Sequence, residues 1–156
     1  MTDISNPLVS NPLVSDPLVV VEQSVSIAAS PETVWEFWTD ANKLVEWWGV
    51  AGEMVPEPGG IFCTVMENGM VMRGTYVELD PPNRLVFTFG WEHNAPGELL
   101  APGSTRVEVT LSRTARGTEL VLRHSEMPTS HAGHHREGWA SFVGEGLVAA
   151  VERASR

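Results

Sequence analysis

The chain has 156 residues, a length that forms one domain around a single core, and at 42% hydrophobic and 19% charged it is too apolar for a disordered protein. Ten Lys and Arg face 20 Asp and Glu, and a formal charge of -10 without a basic run argues against nucleic acid or anionic lipid as a partner. The single cysteine, Cys63, excludes an intramolecular disulfide and a zinc knuckle. No signal-peptide pattern opens the chain and no apolar run reaches membrane-spanning length, so a cytoplasmic location away from membranes is expected.

The first stretch repeats a five-residue unit three times: Ser5-Asn6-Pro7-Leu8-Val9, Ser10-Asn11-Pro12-Leu13-Val14 and Ser15-Asp16-Pro17-Leu18-Val19. Each proline fixes φ and removes a backbone donor, so residues 1–17 are expected to be an extended or turn-rich tail and residues 18–156 the domain. Val19 to Ile27 alternates around valines and reads as a strand. Ser30-Pro31-Glu32-Thr33 then supplies an N-cap, a first-turn proline and an early acid for a short helix, and Asp40 starts a second that Gly49 closes.

Strands separated by turns follow. Pro56 to Gly60 is a punctuator, Ile61 to Met66 a strand, and Asn68-Gly69 the turn of a hairpin leading to Met70–Leu79. Beyond Asp80-Pro81-Pro82-Asn83, Leu85, Phe87, Phe89 and Trp91 share one face at period two. A loop spans His93 to Gly103, and two strands, Thr105–Thr114 and Glu119–Ser125, close the series. From Ser130 to Ala154 the residues Trp139, Phe142, Val143, Leu147, Ala150 and Val151 recur at helical spacing. Gly138, Gly144 and Gly146 interrupt that stripe at about 1 kcal/mol each relative to alanine, which points to close backbone approach or mobility. The expected fold is α+β: a curved antiparallel sheet of about six or seven strands around a long C-terminal helix, with two short helices after the first strand.

Ser30 to Trp35, Trp47-Trp48, Pro58-Gly59-Gly60, Gly74 to Glu78, Asp80-Pro81-Pro82 with Arg84 to Phe87, and Gly138-Trp139 together resemble the START-like (SRPBCC) superfamily. Within it they are most similar to the branch named after the activator of the heat-shock-protein-90 ATPase. The resemblance covers about residues 19–156 and implies the helix-grip fold of the birch-pollen allergen, with a cavity between sheet and long helix. It does not carry the branch name over as a function, because the eukaryotic cochaperone has an additional chaperone-binding domain and fold alone does not set function.

A strongly curved sheet leaves space that one helix does not fill, so part of the aromatic set is expected to line an apolar pocket. The candidate ligand-binding residues are Trp48, Phe62, Met72, Phe89, Trp91, His124, Trp139 and Phe142, with Met70 beside Met72 as an adaptable wall. His124 shares a face with Leu120 and Leu122 and reads first as a satisfied core histidine. His131, His134 and His135 fall on one helical side but read as solvated residues of a helix start, so no metal is expected. Arg73, Arg106 and Arg123 are expected on the solvent face, with Glu108 ambiguous, and Cys63 as a buried inert thiol. No nucleophile, phosphate-loop or dinucleotide motif is present; no catalytic residue or cofactor is assigned, although Glu92, His93 and His124 are the groups an acid–base reaction would use. The leading expectation is a carrier of a small lipid-like or aromatic molecule. A cyclase or hydratase using the same cavity, and a chaperone-accessory or stress-related interaction protein, are the alternatives; a homodimer is left open.

Overall fold

The computed structural model describes residues 16–92 and 100–155. Strand β1 (Leu18–Ile27) leads into helix α1 (Pro31–Glu36), where the Ser30 Oγ accepts from the Thr33 N–H at 3.3 Å. Helix α2 (Ala41–Leu44) starts the same way, with Asp40 Oδ1 accepting from the Asn42 N–H at 2.9 Å. These caps satisfy donors that a helix start leaves orphaned, and so place both boundaries.

Six strands follow: β2 (Ala51–Met54), β3 (Ile61–Val65), β4 (Val71–Asp80), β5 (Arg84–Phe89), β6 (Thr105–Thr114) and β7 (Gly117–Pro128). All pairings are antiparallel, and the sheet order is β1-β7-β6-β5-β4-β3-β2. The chain therefore crosses from one edge to the other through α1 and α2. Register shifts between Val19 and Val21 in β1 and between Tyr76 and Glu78 in β4 add local twist, which curves the sheet. At the bend, Gly74 is required: a Cβ there would sit 1.7 Å from the Thr88 carbonyl oxygen. Strand β5 stops at Phe89, two residues short of its expected end, and Trp91 meets Met72 only in an isolated bridge. Strand β7 continues past Ser125 to Pro128, with Glu126 at φ 61°.

The C-terminal helix is one rod in three parts: α3 (Thr129–Ser141), a π-helical turn (Phe142–Leu147) and α4 (Val148–Ala154). Two of the three glycines lie in the wide turn, where Gly146 faces the Trp47 carbonyl and Gly144 the Gln23 side chain. Helix α3 begins after Pro128, which offers no side-chain cap. Asp16 supplies one from the other end of the chain: its carboxylate accepts from the Ser130 N–H at 3.1 Å and the Ser130 hydroxyl at 2.8 Å. The Pro17 carbonyl accepts from Thr129 N–H and Oγ1 at 3.0 and 2.6 Å. Asp16 and Pro17, assigned to the tail on sequence, thus anchor the helix; residues 1–15 of the repeats lie outside the described residues.

The core fills the space between α1, the sheet and the far half of the rod, with Val34, Trp38, Leu85, Phe87, Val109, Leu120, Leu122, Val143 and Val151 buried. Three of its polar side chains bond to the α1–α2 segment: Trp47 Nε1 donates to the Phe37 carbonyl at 3.0 Å, Tyr76 Oη to the Trp38 carbonyl at 2.8 Å, and Thr64 Oγ1 to the Trp48 carbonyl at 2.8 Å, whereas the buried Trp38 Nε1 has no partner among the described residues. These bonds hold the α1–α2 segment on the sheet. No helix among the described residues is long and apolar enough to cross a membrane.

Candidate ligand-binding site

Where β3–β5 curl past α3, the sheet and helix do not close on each other. A cavity of about 380 Å³ remains there. The sheet side contributes Phe89 and Trp91, and the turn after α2 contributes Trp48. The β3–β4 hairpin folds over the opening with Met66, Asn68 and Met70. From the helix come His134, His135, Glu137, Gly138, Trp139 and Phe142. The rings brace one another: Trp48 stacks on Phe89 with centroids 6.1 Å apart and planes at 8°, and lies 5.1 Å from Trp139. Phe89 meets Trp91 edge to face at 5.4 Å.

Gly138 faces this space. A Cβ added there would meet nothing within 4 Å, so the residue keeps the helix surface low against the cavity, in contrast to Gly146, which is pressed on Trp47.

Of the eight candidates named from sequence, Trp48, Phe89, Trp91, Trp139 and Phe142 lie on the cavity surface. The other three stand behind it. Phe62 is fully buried and stacks on Phe87 at 4.1 Å; Met72 is fully buried beneath Trp91 in the strand bridge. His124 is fully buried and accepts at Nδ1 from Trp139 Nε1 at 3.0 Å. Its other nitrogen, Nε2, must then carry the proton and donate to Thr105 Oγ1 at 2.8 Å, which in turn donates to the Phe89 carbonyl at 2.8 Å. Alternation with Leu120 and Leu122 gave the inward face of His124; the depth of all three is set by the fold.

His135 is a correction. Expected in solvent with His131 and His134, it is buried at 7% exposure, because the α3 start tilts it onto Phe89. Its Nε2 accepts from Trp91 Nε1 at 3.3 Å, and its Nδ1 donates to the His131 carbonyl at 3.0 Å. Two indoles are therefore each oriented by a neutral imidazole. Burial, with His135 nearby, pushes His124 down to about 3; burial also lowers His135, against the opposing effect of its bond to the His131 carbonyl.

No carboxylate contacts either imidazole among the described residues, and no three His, Cys, Asp or Glu side chains gather there as a metal site. Glu92 pairs with Arg73, Arg106 with Glu126, Arg123 with Glu22, and Glu108 with Arg84, none of them on the cavity wall. His93 lies outside the described residues. Cys63 is buried, and burial raises its thiol pKa. Sequence reasoning missed Met66, Asn68 and Glu137, because a hairpin turn and an exposed helical acid carry no local mark of facing a cavity; Gly138 was noticed as a helix interruption and as part of the family resemblance, not as a cavity residue.

A family model described as Activator of Hsp90 ATPase homolog 1-like protein matches residues 28–152. Among solved structures, an AHSA1-like protein from Rhizobium etli is 34% identical with a TM-score of 0.69, over 87% of this chain and 83% of that one. A protein from Mesorhizobium loti is 25% identical with a TM-score of 0.72, over 88% and 98%. An Aha1 dimer from Colwellia psychrerythraea, 22% identical with a TM-score of 0.71 over 86% and 96%, shares the fold. No curated protein matches the sequence.

Proposed function

The chain belongs to the Activator of Hsp90 ATPase homolog 1-like family, and from that premise we propose that it binds a small, mostly apolar molecule between its sheet and C-terminal helix. The observation that carries this reading is the unfilled aromatic cavity with Gly138 facing it. A helix under selection for stability alone would place a side chain there, since glycine in a helix interior is unfavourable by about 1 kcal/mol. Apolar walls with a few polar groups at one side are the usual form of small-ligand sites. Trp48, Phe89, Trp91, Trp139 and Phe142 would contact the ligand, and Phe62, Met72 and His124 would hold those rings in place.

Binding is favoured over catalysis because both buried imidazoles already use both ring nitrogens within the protein. An acid–base step would first have to break an indole bond. The accessory-protein reading needs a contiguous apolar patch. Among the described residues the exposed large apolar side chains are instead divided between β1 (Leu18, Val20), the two flanks of β2 (Val50, Val55) and β4 (Val77), and β1 and β2 are opposite edges of the sheet.

Gly138→Leu tests the reading. The variant should fold, fill the cavity and abolish the thermal shift given by any molecule that co-purifies with the wild type. At a hundredfold excess over Kd that shift corresponds to about 2.7 kcal/mol. Undiminished binding by Gly138→Leu would place the ligand elsewhere.

A further inference from the structure

The cavity wall also indicates the charge of its occupant. Resting on the binding role above, we propose that the ligand is an organic cation, an ammonium group carried on an apolar body, held by the tryptophan rings and Glu137.

Two of the three indoles on the cavity wall, Trp91 and Trp139, have their positive edge engaged within the protein. An aromatic ring is electronegative at its face and electropositive at its edge, and an indole N–H is the most positive part of that edge. In Trp91 and Trp139 this edge is committed to His135 and His124, so the remainder of each ring is what lines the space. The two imidazoles behind them are uncharged in these hydrogen-bond patterns, each with one donating and one accepting nitrogen, and add no positive charge to the wall. Met66 and Met70 contribute polarizable sulfur on the opposite side.

The formal charges point the same way. Among the described residues that line the cavity, Glu137 is the only carboxylate, and none is lysine or arginine. Glu137 takes part in none of the ion pairs formed among the described residues. A fatty-acid-like ligand would need a cation at the wall, yet Arg73, Arg84, Arg106, Arg113 and Arg123 are all engaged with glutamates away from it. A cation over indole faces is attracted most where water is excluded, and the whole chain, at a formal charge of -10, adds a field of the same sign.

Three probes sharing one tail separate the possibilities: 4-phenylbutyltrimethylammonium, 4-phenylbutanol and 4-phenylbutyrate, titrated by tryptophan fluorescence and thermal shift. The ammonium should bind roughly tenfold more tightly than the alcohol, and the carboxylate most weakly. Glu137→Gln, an exposed substitution, should weaken the ammonium about threefold to tenfold and leave the alcohol unchanged. Alcohol or carboxylate binding as tightly as the ammonium, and blocked by Gly138→Leu, would overturn the cation assignment while leaving the cavity as a ligand site. An ammonium preference untouched by Glu137→Gln would overturn the part given to Glu137. Failure of all three probes to bind would overturn this proposal and count against the binding role itself.

Discussion

The two ends of the sheet–helix interface use the same kind of residue to opposite effect. In the half near α1, Trp38 and Trp47 meet edge to face at 4.7 Å, and Phe62 stacks on Phe87 at 4.1 Å. There Trp47 and Tyr76 send their polar atoms to backbone carbonyls of the α1 segment, which draws chain onto ring and closes the space. In the half near the start of α3, Trp91 and Trp139 send theirs to histidine side chains, and the helix contributes a glycine where a side chain would fill the gap. An aromatic residue is a packing element or a wall according to what holds its polar edge and what stands opposite its face.

Truncation should separate the halves most sharply. Phe87→Ala, in the closed half, should cost about 3–5 kcal/mol in urea unfolding, from lost burial and the void left behind. Phe142→Ala, at the half-exposed cavity wall, should cost less than half as much. Equal losses would mean that the wall is as tightly packed as the core.

Acid should act next, and chiefly on the wall. His124 in the native state lies at about 3 and His135 is also lowered, against 6.5 for a free imidazole. As pH falls below 6.5 the unfolded chain takes up protons that the native state refuses. The stability these two residues contribute is therefore full above 6.5 and declines as pH falls toward the native values, by up to about 1.4 kcal/mol per pH unit for His124, with His135 adding a loss in the same direction. Asp16 and Glu32, held below their ordinary values of 3.8 and 4.5 by bonds from Ser130 and Arg113, lose their contribution only at lower pH. Urea midpoints measured between pH 7 and pH 5 thus read the histidines, and His135→Gln should flatten the slope. A wild-type midpoint that does not fall over this interval would mean that the indole–imidazole bonds do not hold in solution.

The smallest effect is that of Gly138, best measured against Gly74. Gly138→Ala should stabilise the protein by about 0.4–1 kcal/mol, because the methyl group enters open space and the unfolded chain loses freedom. Gly74→Ala should destabilise it by more than that, since its methyl group would meet the Thr88 carbonyl. Thermal unfolding of the pair distinguishes a cavity-facing glycine from one that permits strands to approach; destabilisation by Gly138→Ala would show that the space is not open.

The order of elements was legible from residues near one another in the chain. Ser30-Pro31 and Asp40 cap their helices through bonds spanning two or three residues, and Asn68-Gly69 turns a hairpin with Gly69 at φ 89°. Alternation along β5, β6 and β7 identified the inward face, because successive side chains of a strand must point to opposite sides. Of the five pocket candidates that lie on the cavity, Phe89 and Trp91 follow from this alternation and Trp139 and Phe142 from their helical spacing, while Trp48 stands in the turn after α2.

Depth and partnership were decided only by the fold. Phe62, Met72 and His124 point inward as their strands require, yet sheet curvature places them one layer behind the wall. His135 is drawn inward by Phe89 and Trp91, some 44 residues away for the latter, and Asp16 caps a helix 114 residues further along. Such pairings depend on strand register and twist summed across the sheet, whereas caps, turns and alternation act within a few residues; that difference in range separates what the amino-acid order determined from what tertiary structure added.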